Sequence, residues 1–280
     1  MTAPRYQSAP GRFGARLVEA MAARGPLCVG IDPHPALLQQ WGLGDDLDGL
    51  ERFALTAVDA LAGEIAVVKP QSAFFERYGS AGIAVLERTV ARTRDAGALV
   101  LLDVKRGDIG STMTAYAQAY LADDAPLAAD AITVSPYLGV GALEPAFTQA
   151  ARTGRGVFVL ARTSNPEGAR MQRGGPAQYV VDALGERNAG ATPLGDLGAV
   201  VGATVAPGEL DLDTLNGPVL APGVGTQGAT VHALPRIFGS ALRHVLPAAS
   251  RDVLRHGPDP AGMRSAALRV RDAAAALIGP

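Results

Sequence analysis

The chain has 280 residues, of which 48% are hydrophobic and 19% are charged, and its formal net charge is -2. This composition supports a sizeable core and offers no broad basic field for nucleic acid or for an anionic membrane. Cys28 is the single cysteine, which excludes an intramolecular disulfide and a cysteine-cluster metal site. No apolar stretch typical of a signal peptide or a membrane span is present. We therefore expect a cytoplasmic protein with a small-molecule ligand.

Eight short apolar runs recur along the chain, each bounded by polar, Gly or Pro residues. Such runs are typical of strands that are buried on both faces of a parallel sheet. In chain order they cover residues 27–31, 65–68, 99–102, 131–134, 157–160, 199–205, 218–221 and 244–246. Ala-rich stretches with helical spacing lie between most of them, over residues 50–61, 83–96, 113–121, 143–152 and 179–187.

Eight strand–helix units predict an α/β fold of the (β/α)8 TIM barrel type. A doubly wound sheet usually has fewer strands and often has a Gly-rich dinucleotide-binding turn after its first strand. The residues before Leu27 form an N-terminal extension, and residues 163–178, rich in Gly and Arg, predict a long mobile loop after the fifth strand. The amino-acid composition does not change along the chain in a way that would mark a domain boundary. Residues 1–280 are therefore expected to form a single domain.

Charged residues follow the third run at the strand end where barrels place their chemistry. Asp103 and Lys105 are two residues apart, so in extended backbone their side chains leave the same face. Gly107 permits a turn that brings Asp108 towards them, and Ser111 or Thr112 could cap the next helix. A solvated surface ion-pair network is the structural alternative. The four apolar residues that lead directly into this cluster favour an active site instead.

The segment LLDVKRGDIGST resembles the Asp-x-Lys-x-x-Asp signature of the orotidine 5'-phosphate decarboxylase family. Other segments are similar to the longer bacterial (type 2) subgroup of that family and occur in the same order: VGIDP, VVKPQSAFFE, TVSPYLG, SNPEG, APGVGTQG and the Arg after the eighth run. The resemblance covers about residues 27–255. It implies conversion of orotidine 5'-phosphate to uridine 5'-phosphate and CO2, the last step of de novo UMP synthesis, without a metal or an organic cofactor.

The resemblance also implies roles for individual side chains. Lys105 matches the lysine that stabilises the C6 carbanion and protonates it, and Asp103 matches the carboxylate beside the departing group. Asp108 and Thr112 match residues that reach the neighbouring subunit's site, so a homodimer is implied. The other matched residues are Lys69 in the charge network and at the ribose, Asp32 at the ribose, Ile109 beside Asp108, Ser164 at the pyrimidine, and Gln227 and Arg251 at the phosphate.

Two alternatives stay open. A related barrel enzyme, a sugar-phosphate decarboxylase or aldolase, shares the Asp-x-Lys-x-x-Asp segment and works through a magnesium-bound enediolate. Its metal would need a further acidic residue at the second strand end, where this chain has Lys69. The second alternative is a catalytically silent barrel that binds nucleotides or a protein partner. The four histidines are scattered, so the sequence predicts no metal site.

Overall fold

Eight parallel strands close into a barrel in the computed structural model, which describes residues 11–225 and 228–279. Each strand pairs with the next one along the chain, and the eighth pairs with the first. The predicted TIM barrel is therefore confirmed, and every predicted apolar run overlaps one strand. The strands are β1 (Cys28–Ile31), β2 (Val67–Pro70), β3 (Leu99–Arg106), β4 (Ala131–Val134), β5 (Gly156–Arg162), β6 (Leu197–Val201), β7 (Val219–Pro222) and β8 (Val245–Ala249).

Helices alternate with the strands, and each of the five predicted helical stretches overlaps one of them. The helices are α1 (Phe13–Arg24), α2 (Pro35–Gln40), α3 (Leu47–Leu61), α4 (Ser72–Glu76), α5 (Gly79–Asp95), α6 (Gly110–Leu121), α7 (Glu144–Thr153), α8 (Ala169–Gln172), α9 (Pro176–Asn188), α10 (Leu234–Phe238), α11 (Arg251–Leu254) and α12 (Pro260–Ile278). Within residues 11–225 and 228–279, no helix combines the length and the apolar character needed to cross a membrane.

Helix α1, the described part of the N-terminal extension, closes the amino end of the barrel. Phe13 of α1 makes an edge-to-face contact with Phe158 inside the barrel, with the ring centroids 5.8 Å apart. Gly156 makes room for this contact, because a Cβ there would collide with the Phe13 ring. Arg12 Nε pairs with Asp196 Oδ2 at 2.7 Å and fixes the start of the helix. Helix α1 thus covers the core at the end opposite the strand ends that carry the candidate site.

Two predicted boundaries are wrong. β6 ends at Val201, whereas the apolar run continues to Val205, because the chain turns at Gly202 while Ala203 and Val205 remain buried. The residues of a turn can be apolar simply because they are buried, so the apolar run is longer than the strand. The long segment predicted after β5 is present, but it ends earlier than predicted, because α9 begins at Pro176; it contains a 3-10 turn (Pro166–Gly168) and α8.

Candidate active site

A cavity of about 430 Å³ lies at the carboxyl end of the barrel. Because parallel strands of a TIM barrel all end on this face, it collects side chains that are far apart in the sequence. Six of the predicted site residues line it: Asp32, Lys69, Asp103, Lys105, Ser164 and Arg251. The wall also contains residues that sequence reasoning missed: His34, Gln71, Phe74, Thr133 and Ser250.

Asp103 is the centre of a buried ionic network in this cavity. Its Oδ2 accepts a hydrogen bond from Lys69 Nζ at 2.8 Å, and its Oδ1 accepts one from Lys105 Nζ at 2.6 Å. Thr133 Oγ1 on β4 also donates to Oδ1, at 2.7 Å. Both carboxylate oxygens are therefore occupied, and two ammonium groups are held about one carboxylate.

The charge state of the network follows from this pairing. Burial favours the neutral form of Asp103, but the charges of Lys69 and Lys105 outweigh it and hold the pKa of Asp103 well below its usual range. Burial likewise disfavours the Lys69 ammonium, yet Asp103 and Asp32 raise the pKa of Lys69 above its ordinary value. Both groups are therefore ionised at neutral pH, even though their side chains are only 8% and 10% exposed.

Lys105 differs from Lys69 in exposure and in backbone conformation. Its side chain is 44% exposed. Its φ is 46°, in the left-handed region, so the predicted extended backbone is wrong at this residue. Its N–H donates to Thr133 Oγ1 at 3.0 Å, which helps to hold the turned conformation. Such a conformation costs roughly 1–3 kcal/mol and persists only where the surroundings enforce it, as at functional sites.

Asp108, Ile109 and Thr112 do not line the cavity of their own chain. The expected convergence of three charges on one site is therefore wrong within a single chain. Helix α6 begins at Gly110 with Ile109 as its N-cap residue, which places Ser111 and Thr112 inside the helix rather than at its cap. Asp108 Oδ1 instead accepts a hydrogen bond from the Ile109 N–H at 2.8 Å.

Three buried polar atoms around the cavity have no hydrogen-bond partner among the residues that the structure describes. They are Asp32 Oδ1, Gln71 Oε1 and Ser250 Oγ. Buried polar atoms in folded proteins are rarely left unpaired, because each unmade hydrogen bond costs about 1–3 kcal/mol. Atoms of this kind in a cavity wall are the expected attachment points of a polar ligand, which would supply the missing partners.

The predicted phosphate end lies between β7 and β8. Arg251 follows β8 directly and lines the cavity together with Gly223. Gly223 and Gly225 have positive φ values of 104° and 89°, which favour glycine, and a Cβ at Gly225 would collide with the Asp252 carboxylate. Gln227 lies outside the described residues, so its role at the phosphate stays a prediction.

The chain is similar to known proteins over most of its length. Positions 25–262 match the sequence model of the "Orotidine 5'-phosphate decarboxylase / HUMPS family". The chain is 64% identical over 274 residues to an orotidine 5'-phosphate decarboxylase of Salinispora arenicola, a match that covers 95% of this chain and 99% of that protein. The chain belongs to the orotidine 5'-phosphate decarboxylase family.

Two further relatives agree with this membership. An orotidine 5'-phosphate decarboxylase of Streptomyces coelicolor is 60% identical over 265 residues, which covers 92% of this chain and 95% of that protein. A crystal structure from Streptomyces avermitilis, with a provisional assignment to the same enzyme, superposes with a TM-score of 0.92 at 56% identity, and the match covers 97% and 99% of the two chains. The resemblance to the bacterial subgroup of the family is consistent with these actinobacterial relatives.

The use of lysine within this family member points to the same network. Only two of its 25 Lys and Arg residues are lysines, and these two, Lys69 and Lys105, are the pair that binds Asp103. Arginine keeps its proton at any pH a protein meets, whereas a lysine ammonium is a compact charge that can release one. Arginine occupies every other Lys or Arg position, and both lysines of the chain contact Asp103.

The pKa of Lys69 can be measured directly, because the chain has only two lysines and its spectrum should contain only two lysine Cε signals. In protein labelled with ¹³C-lysine, we expect the Lys69 signal to titrate well above 10.5, the ordinary value of a lysine. With its folded-state pKa raised, the ion pair contributes fully to stability below the unfolded-state pKa, and this contribution is lost as the pH rises through the folded-state pKa. Lys105→Ala assigns the two signals. A Lys69 midpoint at or below 10.5 would contradict the network.

Proposed function

We propose that this chain decarboxylates orotidine 5'-phosphate to uridine 5'-phosphate and CO2, the last step of de novo UMP synthesis. The observation that supports this most strongly is the Lys69–Asp103–Lys105 network at the mouth of the barrel in a member of this family. The network provides fixed positive charge and one ionised carboxylate, and Lys69 and Asp103 are buried, where electrostatic effects are stronger than in water.

In the proposed reaction, Lys105 has two tasks. The bond between C6 and the carboxylate carbon breaks, CO2 leaves, and the electron pair stays on C6. The Lys105 ammonium stabilises this carbanion by its charge and then transfers a proton from Nζ to C6, which leaves a neutral amine that regains a proton from solvent. The hydrogen bond of 2.6 Å to Asp103 Oδ1 would hold Nζ in place until the transfer.

Asp103 is proposed to act on the ground state and on the position of Lys105. Because its pKa is held low, it stays ionised when the substrate carboxylate is bound nearby, and the repulsion between the two anions would be relieved as CO2 leaves. Thr133 and Lys69 share its two oxygens and would prevent the carboxylate from rotating away. Lys69 therefore serves the reaction through Asp103 and also lies beside the ribose.

The remaining cavity residues are proposed to bind the rest of the substrate. Asp32, with one buried oxygen unpaired, would accept hydrogen bonds from the ribose hydroxyls. Arg251 and Gln227 would bind the phosphate, for which the planar guanidinium of arginine is well suited. Ser164, in the segment after β5, would recognise the pyrimidine amide. Together these contacts would hold the substrate with C6 facing Lys105 and would require no metal or organic cofactor.

We also propose that the active form is a homodimer in which Asp108 and Thr112 reach the partner's cavity. Three apolar side chains near Asp108 are exposed: Ile109 at 61%, Tyr137 at 76% and Leu138 at 52%. The two segments that carry these side chains pack closely together: a Cβ at Gly107 would collide with the carbonyl oxygen of Ser135. A second copy would cover this apolar surface and would explain why Asp108 does not line the cavity of its own chain. The cytoplasm is the proposed location.

An ultraviolet assay of the purified protein tests the reaction. With orotidine 5'-phosphate, the orotidine absorbance is expected to fall at a rate that a metal chelator does not change. Turnover of a sugar phosphate that depends on added magnesium would instead favour the magnesium enzymes of this barrel group. Binding of uridine 5'-phosphate without any loss of the orotidine signal would favour a catalytically silent barrel.

A further inference from the structure

We propose that Glu209 is a latch residue that holds both ends of the β5 loop, defined here as residues 163–172, and thereby positions Ser164 over the cavity. Glu209 lies in the connection between β6 and β7 and does not line the cavity itself. The inference rests on the proposed function in one respect, namely that Ser164 contacts the pyrimidine. It assigns a positioning role to an ion pair outside the site described above.

The first end of the β5 loop is bound through Arg162, the last residue of β5. Its Nε pairs with Glu209 Oε1 at 2.6 Å, and the two side chains are only 7% and 17% exposed. Arg162 Nη1 also donates to the carbonyl oxygen of Thr163, at 2.5 Å. A buried guanidinium needs such partners, because an unpaired charge in this environment would be costly. Arg162 is therefore held between Glu209 and the first peptide group of the loop.

The second end of the β5 loop is bound to the same oxygen atom. Arg173, directly after the loop, places Nε 3.3 Å from Glu209 Oε1. Burial favours the neutral form of Glu209, but Arg162 and Arg173 outweigh it and lower the pKa of the carboxyl group. One carboxylate thus binds an arginine at each end of a ten-residue segment, and this arrangement restrains both ends together.

Hydrogen bonds within the β5 loop also join its first and last residues. Gln172 Oε1 accepts a hydrogen bond from the Thr163 N–H at 2.9 Å, and Gln172 Nε2 donates to Thr163 Oγ1 at 2.9 Å. The last residue of the loop is thereby joined to the first, directly before Ser164. A loop closed in this way has fewer conformations to lose when a ligand binds, so it is pre-organised for that ligand.

The connection that contains Glu209 also limits where Ser164 can lie. The N–H of Gly202 donates to the carbonyl oxygen of Arg162 at 2.8 Å, and a Cβ at Gly202 would lie only 3.0 Å from the Ser164 nitrogen. The connection that contains Gly202 and Glu209 thus contacts Arg162 at the end of β5 and Ser164 within the β5 loop. Thr163, Ser164 and Asn165 all line the cavity. Loss of the latch should therefore affect the pyrimidine end of a ligand and leave the phosphate end unchanged.

The affinities for two ligands distinguish a positioning role of Glu209 from a general effect on the stability of the fold. Uridine 5'-phosphate has a pyrimidine, whereas ribose 5-phosphate has only the groups that bind elsewhere in the cavity. For Glu209→Gln, calorimetry should show uridine 5'-phosphate binding weakened by about 10-fold or more, the size expected for a lost charge-assisted hydrogen bond. Ribose 5-phosphate binding should change by less than about 2-fold, and Arg162→Lys should lie between the wild type and Glu209→Gln.

Asp123→Asn provides the matched control, because it removes the acid from the ion pair of Arg155 and Asp123 at the opposite end of β5. It should leave both affinities unchanged. If Glu209→Gln fails to fold, Arg173→Gln removes only the more exposed partner and should weaken uridine 5'-phosphate alone, by about 3-fold. Equal losses for both ligands, or no loss for either, would overturn the latch. A wild type that binds uridine 5'-phosphate without turnover would refute the proposed reaction and leave this comparison intact.

Discussion

Lys105→Ala is expected to lower kcat/KM for orotidine 5'-phosphate by about 10⁴-fold or more, since it removes both the general acid and the cation nearest the carbanion. The loss should appear mainly in kcat, because the proposed interaction with C6 strengthens only as charge develops there. The fall in orotidine absorbance with time, at saturating substrate, measures it. The phosphate, ribose and pyrimidine contacts all remain, so uridine 5'-phosphate should still bind.

The fold of Lys105→Ala should be preserved, because the side chain is 44% exposed and Asp103 keeps Lys69 and Thr133 as partners. Circular dichroism and the oligomeric state provide that control. Lys105→Arg is the matched variant: it keeps a positive charge next to Asp103 but has no proton to transfer at neutral pH, so it should also be inactive. Turnover near the wild-type value in Lys105→Ala would refute the proposed general acid.

Mixing inactive Lys105→Ala with inactive Asp108→Ala is expected to restore activity. If Asp108 serves the partner's cavity, each hybrid dimer has one cavity with both an intact Lys105 and an intact Asp108. Random exchange makes half of the dimers hybrids with one of two sites complete, so activity should return to roughly one quarter of the wild-type value. The absorbance assay before and after subunit exchange measures the recovery.

The control for this experiment is a mixture of Lys105→Ala with Asp103→Asn. Asp103 and Lys105 line the same cavity of one chain, so each hybrid would have two defective sites and no activity should return. Recovery in this second mixture, or none in the first, would rule out a shared site. In the latter case the exposed patch of Ile109, Tyr137 and Leu138 would need another explanation.

Much of the barrel could be predicted because its strands are buried on both faces. That burial makes each strand an uninterrupted apolar run, and the alternation of such runs with helical spacing has few other solutions. The same regularity located the candidate site, since parallel strands end on one face. Asp32, Lys69 and Asp103 follow different runs in the sequence, yet all three line one cavity. Their convergence is a property of the topology.

The sequence by itself thus determined the barrel, the face that carries the site and the two lysines near its centre. Only the tertiary structure decided how these groups meet. The left-handed backbone of Lys105 is held by a contact with Thr133 of β4, which no local pattern encodes. Glu209 is 47 positions from Arg162 and lies in an ordinary polar connection. Such pairs form only because the closed barrel brings distant segments together. The spacing of apolar residues in the sequence indicates which positions are buried, but not which side chains they contact.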